Sequence, residues 1–284
     1  TDLKKAKDFD DPSRDSWAAA LRDQILFWDG RITLAPAIRY DYISDIGDQF
    51  SPKGGLHVKP LSWLALKANA GRSFRGPNFS ELYFNQGYML GNPDLKPERS
   101  THYYAGFQIT TRPFFAEAAY FRSDVTDLIE YVFISGFRYK PYNIGEAKIE
   151  GMELSATLQP VEYFSLQGSY TLTYAIDETE FPNRKDTQIP GRPRRKGYAR
   201  LETGPSYIKG FCEYNYVGSN FITRANTKLL DERHILNAGV IAHPSPDASF
   251  GFEMKNLTDD QAVDVRGFPL PGRSAFVTFE IAFD

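Results

Sequence analysis

Four carboxylates, Asp41, Glu117, Glu153 and Glu213, are the first residues whose type suits chemistry. Paired carboxylates held close together can divide acid and base roles between them. Here each sits on the polar face of a different segment. The residue types around them, mostly Ser, Thr, Gln and Arg, suit a hydrated wall better than a catalytic pair. No G-x-S-x-G nucleophile elbow and no phosphate-cradling G-x-x-x-x-G-K-[ST] occurs. Cys212 is the only cysteine, which excludes a disulfide framework and a thiolate metal cluster; it reads as a small apolar filler in a strand. His57, His102, His234 and His243 are scattered without ligand spacing. The expectation is a protein with no catalytic residues, no metal site, no cofactor and no enzyme activity. A second set of residues suits binding instead. Arg75, Phe79, Tyr83, Phe84 and Tyr88 form one group, Phe133, Phe137, Arg138 and Tyr139 another, and Arg266 and Phe268 a third. Aromatic faces and guanidinium forks suit a flat, anionic or chelated ligand. The alternative for each is packing within its own loop.

The elements that must carry these residues are strands. In 31–42, RITLAPAIRYDY, Ile32, Leu34, Ile38, Tyr40 and Tyr42 share one face while Arg31, Thr33, Arg39 and Asp41 share the other. Residues 165–175, 249–256 and 275–283 alternate in the same way. A period of two is the strand signature, and no segment has a convincing 3.6-residue apolar stripe. The strands are expected at 15–28, 31–43, 53–60, 62–74, 98–111, 113–127, 145–158, 162–176, 194–204, 206–217, 233–243, 247–257 and 272–283, about thirteen in all. Many have ten or more residues, against an ordinary average of about five or six. A tilted strand crossing a bilayer needs about nine to eleven.

The connections alternate. Short turns fall at 28–31, 59–63, 110–114, 159–163, 203–207 and 243–248; long loops are expected at 44–52, 75–97, 128–144, 177–193, 218–232 and 258–271. Sorting loops by length onto opposite ends is the habit of an antiparallel transmembrane β-barrel. Tyr40, Tyr42, Tyr170, Tyr174, Tyr214 and Tyr216 lie toward strand ends on the apolar face, where a girdle would meet the membrane interface. Membrane lipid is therefore an expected partner. A β-sandwich or propeller is the competing fold, but no repeat of propeller length recurs. Lys+Arg 33 against Asp+Glu 36 gives a formal net charge of -3, which argues against a nucleic-acid partner. No stretch is apolar and long enough for a spanning helix.

One block carries a family likeness. Phe74-Arg75-Gly76-Pro77 is followed by Glu81-Leu82-Tyr83, and then Asn92-Pro93-Asp94-Leu95-Lys96-Pro97-Glu98 opens the next strand. The block resembles the most recognisable segment of TonB-dependent outer-membrane receptors, with Gly76 in place of their usual Ala. Residues 142–155, 189–202 and 255–283 are similar to that family's later strand and closing-hairpin motifs. The family-motif residues Phe74, Arg75, Pro77, Glu81, Asn92, Pro93, Leu95, Pro97 and Glu98 read as structural. Pro93 and Pro97 stiffen the loop at little entropic cost, so the chain enters the strand after residue 97 at a fixed register. Lys96, Glu98 and Arg99 are expected to pair with charges at the barrel rim.

The resemblance implies an outer-membrane barrel of about 22 strands around a plug. It implies residues 1–284 as the C-terminal part of that barrel, with the plug and about nine strands on a second chain or fragment. The polar start, TDLKKAKDFDDPSRD, reads as a cut surface loop, and Asp284 departs from the terminal aromatic usual in the family. The function implied is import of a small metal-chelate ligand, gated by TonB acting on the plug. A ferric siderophore leads, with cobalamin close behind; residues 76–91 contain no histidine, which lowers haem. An ungated porin-like channel and a soluble carbohydrate-binding β-protein are the alternatives.

Overall fold

In the computed structural model, thirteen strands pair in chain order into one antiparallel sheet. It describes residues 13–134, 136–180, 184–265 and 268–282. The strands are β1 (Ser16–Arg22), β2 (Ile32–Ile43), β3 (Gly47–Leu61), β4 (Leu64–Arg75), β5 (Glu98–Thr110), β6 (Phe114–Phe133) and β7 (Tyr139–Val161). They continue with β8 (Phe164–Asp177), β9 (Arg195–Thr203), β10 (Ile208–Val217), β11 (Arg233–Ser245), β12 (Ala248–Lys255) and β13 (Ser274–Ile281). One short helix, α1 (Phe79–Tyr83), lies between β4 and β5. Among the described residues β1 and β13 do not pair with each other, so the wall is an open arc.

The register decides which face is which. Along one line of cross-strand partners run Leu66, Phe107, Ala118, Leu154, Tyr170 and Gly197, and then Tyr216. Neighbouring lines on the same face add Tyr103, Tyr120, Met152 and Leu201. The opposite face carries Lys67, Gln108, Glu117 and Tyr104, then Tyr198, Arg200, Glu213 and Asn237. The apolar face is uncovered: Leu66, Phe107, Leu154, Tyr170 and Phe252 are all exposed. Among the described residues, the buried hydrophobics larger than alanine are Leu82 and Leu95, and both lie in the loop region after β4. A sheet with no apolar core and a continuous apolar outer face is stable where that face meets hydrocarbon. A soluble sandwich or propeller would bury it. Cys212 belongs to this outer face, beside Leu201 and Ala238, and is exposed.

Gly151 shows how tightly the register is held. A Cβ there would stand 2.0 Å from the Leu172 carbonyl oxygen and 2.8 Å from the Phe121 ring. Phe121 lies across the site and the neighbouring backbone closes it, so no side chain fits. Gly151→Ala should cost about 3 kcal/mol, the upper end of overpacking, because backbone rather than a flexible side chain must yield. A clearly lower unfolding temperature of the folded barrel on a semi-native gel checks this; an unchanged one contradicts it.

Three expectations are corrected. Residues 44–52 are not a long loop: β2 and β3 join through 44–46, where Ile46 N–H bonds the Ile43 carbonyl, and Gly47 takes φ 86. Residues 128–144 are mostly strand, because β6 and β7 run on as a paired hairpin to Phe133 and Tyr139. Both stretches lie beyond the apolar band, where the two faces are wet and the in–out alternation that marks a strand disappears. The expected strand 15–28 is broken after Arg22, since Pro36 on β2 has no N–H to offer; Asp23 N–H instead bonds its carbonyl at 3.0 Å, and Ile25–Phe27 resumes the pairing. Long loops remain at 76–97, 178–194, 218–232 and 256–273, all on one end of the arc. Residues 1–12 and Phe283–Asp284 lie outside the described residues.

Candidate functional site

The loop after β4 is built on one guanidinium. Asn78 caps α1: its side chain accepts from Glu81 N–H at 2.8 Å, and the Glu81 carboxylate accepts from Asn78 N–H at 2.8 Å. This reciprocal capping box satisfies two donors a five-residue helix would otherwise leave open. The same Glu81 carboxylate receives Arg75 at 3.1 and 3.2 Å. Arg75 also grips its cross-strand partner Glu98, at 2.6 and 2.5 Å. The Phe-Arg-Gly-Pro, Glu-Leu-Tyr and Asn-Pro-Asp-Leu-Lys-Pro-Glu segments therefore meet at Arg75. Arg75 is thus paired with two protein carboxylates.

Glu98 is also the link to β6. Its Oε1 accepts Ile129 N–H at 3.0 Å, beside the bulge where the β6–β7 register shifts. Burial pushes the Glu98 carboxyl up, but the Arg75 hydrogen bond and the Ile129 N–H outweigh it and hold it below the ordinary carboxylate range. The hydrogen bonds to Glu98 and Glu81 push the Arg75 guanidinium further up. A depressed folded pKa stabilises above the unfolded value, and the contribution is lost as pH falls through the folded one. The clamp should therefore be intact at neutral pH and weaken below about pH 4. Unfolding midpoints of the intact receptor should fall more steeply there in wild type than in Glu98→Gln; parallel curves would contradict the assignment.

Backbone and amide bonds then fuse this loop to the β6–β7 hairpin. Asn92 N–H donates to the Glu81 carbonyl at 2.8 Å and its side-chain amide to the Pro141 carbonyl at 2.8 Å. The Asn143 amide donates to the Lys96 and Asp127 carbonyls, both at 2.8 Å, while Lys96 N–H donates back to Asn143 Oδ1 at 2.7 Å. Leu90 N–H bonds the Tyr139 carbonyl and Tyr139 N–H the Tyr88 carbonyl. Gly91 permits the approach, since a Cβ would stand 2.5 Å from the Leu82 carbonyl oxygen. Of the three residues expected to pair at the rim, Glu98 does so through Arg75; Lys96 bonds through its backbone, and Arg99 has no charged partner among the described residues.

This fused body presents aromatic side chains outward. Phe137 is 84% exposed, Tyr88 65%, Phe133 57% and Tyr139 40%, and the Phe133 and Tyr139 rings meet edge to face at 5.6 Å. Phe137 holds φ 57 at the hairpin tip. A bulky residue in the left-handed region costs roughly 1 kcal/mol or more. Arg138 is exposed beside it. The remaining sequence candidates are elsewhere. Phe79 lies under the Arg14 guanidinium at 4.9 Å and 6.3 Å from the Tyr83 ring. Phe84 is half-buried, with its N–H on the Ser80 carbonyl. Phe268 is exposed on a separate two-residue pairing with 263–265, and Arg266 lies outside the described residues.

Two rim ties have no local sequence signal. Arg14 forms a bidentate pair with Asp45 at 2.8 and 2.7 Å and reaches the Pro77 carbonyl at 2.9 Å. Arg184 bonds Asp177 at 2.7 Å and Glu130 at 3.3 Å, and Arg224 also pairs with Glu130. Loops 178–194 and 218–232 are thereby tied to the β6–β7 hairpin. Three of the four carboxylates read as acid–base candidates have side-chain partners. Arg39 holds Asp41, Lys67 and Tyr104 hold Glu117, and Arg200, Tyr198 and Asn237 surround Glu213. Glu153 sits on the same inner face, opposite Ala119 and Thr171.

Comparison with known proteins follows the same lines. A family model described as TonB dependent receptor-like, beta-barrel matches residues 2–257. The vitamin B12 transporter BtuB of Vibrio vulnificus is 30% identical over 233 residues, covering 81% of this chain and 36% of the relative. That of Photobacterium profundum is 24% identical over 230 residues, covering 78% and 36%. Among solved structures, the ferric enterobactin receptor PfeA of Pseudomonas aeruginosa superposes with TM-score 0.81 at 20% identity, covering 95% of this chain and 45% of that one. The siderophore receptor PirA of Acinetobacter baumannii gives TM-score 0.80 at 17% identity, covering 95% and 46%. The chain thus spans little more than a third of the curated relatives it matches.

Proposed function

The chain belongs to the TonB-dependent receptor β-barrel family, its place is the bacterial outer membrane, and from that membership we propose that it forms part of a receptor importing a scarce metal chelate. The observation that carries the reading is the fused loop body at the rim. It offers Tyr88, Phe133, Phe137 and Tyr139 with Arg138 on a support immobilised by two amide staples and one arginine clamp. Rigid aromatic anchors lose little side-chain entropy on binding, and large flat or chelated ligands use them well. A porin needs no such body, since an open channel gains nothing from a built binding surface.

Within the chelate class, a cobalamin and a ferric siderophore are both served by this chemistry. The named curated relatives favour the first and the fold neighbours include receptors for the second. The polar inner wall is suited to a hydrated plug, and the free edges of β1 and β13 to further strands. The plug, those strands and TonB coupling through the plug are proposed as parts of the working receptor, whether on this polypeptide or a second one. Equilibrium titration of the intact purified receptor with cyanocobalamin and with ferric enterobactin tests the reading. Saturable binding of either one supports it; saturable binding of neither, with free passage of both, supports the porin alternative.

A further inference from the structure

The loops at the rim form two bodies. The first is the loop after β4 fused to the β6–β7 hairpin, and it carries the aromatic tip. The second joins loops 178–194 and 218–232. Gln188 N–H donates to Asn226 Oδ1 at 2.7 Å, and the Asn226 amide donates back to the Gln188 carbonyl at 2.9 Å. Gly191 N–H adds a bond to the Phe221 carbonyl at 2.9 Å. Each loop is also closed on itself: the Thr187 hydroxyl donates to the Arg184 carbonyl at 2.6 Å, and Ile222 N–H to the Lys228 carbonyl at 3.0 Å. The chelate reading uses the first body and leaves the second without a part.

One carboxylate ties the second body to the first. Arg184 reaches Glu130 from one loop, and Arg224 reaches it from the other. Glu130 lies three residues before Phe133, on the strand that leads to the tip, opposite Tyr142. Gly145 keeps its space open: a Cβ there would stand 3.1 Å from Glu130 Cγ and 2.5 Å from Leu128 Cβ. Asp177 holds Arg184 from the other side at 2.7 Å, so Asp177, Arg184, Glu130 and Arg224 alternate in charge. At the root of loop 178–194, Glu178 N–H bonds the Glu146 carbonyl and Glu146 N–H bonds the Thr179 hydroxyl. Those bonds continue the strand pairing and fix where the loop leaves the wall. The reach across to the hairpin falls to Glu130. Its side chain is 13% exposed, and charge-assisted bonds shielded in this way are the strong ones. Neutralising Glu130 removes the partner that both loops share.

We propose that Glu130 is the positioning residue of the rim: it seats the body formed by 178–194 and 218–232 beside the aromatic tip, so that chelate affinity depends on a carboxylate the chelate does not touch. The ligand half of this rests on the chelate reading; the joint itself does not. A receptor whose binding-competent arrangement is populated about a tenth of the time shows an apparent affinity about tenfold weaker. The test uses the intact purified receptor. Without ligand, hydrogen exchange over 184–188 and 221–228 should be about tenfold faster in Glu130→Gln than in wild type, and unchanged over 92–98 and 139–143. Arg184→Gln/Arg224→Gln should match it. Adding Glu130→Gln to that pair should change little further, since the partners act as one unit. Well below the unfolding temperature, Glu130→Gln should slow association of cyanocobalamin or ferric enterobactin, whichever wild type binds, about tenfold and leave dissociation near wild type. A carboxylate that only stabilised the fold would move the unfolding midpoint and neither rate. Exchange no faster in Glu130→Gln, or faster exchange with unchanged association, would overturn the proposal. Binding of neither probe by wild type would instead sink the chelate reading; faster exchange would then still establish the joint, and unchanged exchange would refute it.

Discussion

Replacing Arg75 by alanine should lower the stability of the receptor by about 2–3 kcal/mol and loosen the whole rim. The change strips the cation from two carboxylates whose side chains are only 10% and 13% exposed, Glu81 and Glu98. Breaking a buried ion pair from one side typically costs about 3–5 kcal/mol, because the remaining charge is left unpaired. Arg75 itself is 46% exposed at its side chain, so water recovers part of that loss and the lower figure applies. Arg75→Lys should rescue only partly, since an ammonium is a point charge and cannot fork onto two carboxylates. Removing Glu98 together with Arg75 should cost less than the sum of the single changes, as coupled neighbours do. The unfolding midpoint of the intact receptor checks all three. A midpoint for Arg75→Ala within error of wild type would show that the capping box and amide staples hold the loop without the clamp.

The second large effect concerns ligand. Tyr88→Ala/Phe137→Ala/Arg138→Ala should weaken chelate binding about 100-fold, since each well-placed aromatic or arginine anchor contributes roughly 1–2 kcal/mol and the three are not fully additive. The side chains are exposed and take no part in the clamp or the staples, so the unfolding midpoint should not move. That separation is the point of choosing them. Unchanged affinity would place the ligand elsewhere on the rim, with the loops around Arg184 and Arg224 the next surface to alter.

The wall was legible from residue types because half of every strand faces lipid and the other half faces polar groups. Alternation survives wherever that difference exists, as at Leu166, Tyr170 and Leu172 against Ser165, Gln167 and Ser169. It fails above the membrane. Residues 128–134, DLIEYVFI with Asp127 counted in, carry no period of two, yet they pair with 139–145 across a bulge. The rim was legible only as a motif. Arg75 matched a family box, but its partners Glu81 and Glu98 lie in two other boxes, and nothing in the sequence states that one guanidinium serves both. Asn143 falls in a family strand motif, but nothing there states that its amide and the Pro141 carbonyl bind groups 47 and 49 residues away. Arg75, a ligand-contact candidate by its position at a strand end, forks onto two carboxylates with its side chain still 46% exposed. The aromatic candidates separate for the same reason: Phe79 is consumed by Arg14, while Phe137 is left at the tip.

The most direct test of the account is uptake by cells carrying the intact receptor. Accumulation of labelled cyanocobalamin or ferric enterobactin would be followed with and without TonB. The account predicts saturable uptake of one of them that stops when TonB is removed, while surface binding persists. Uptake that continues unsaturated and unchanged without TonB would contradict it and leave an open channel in its place.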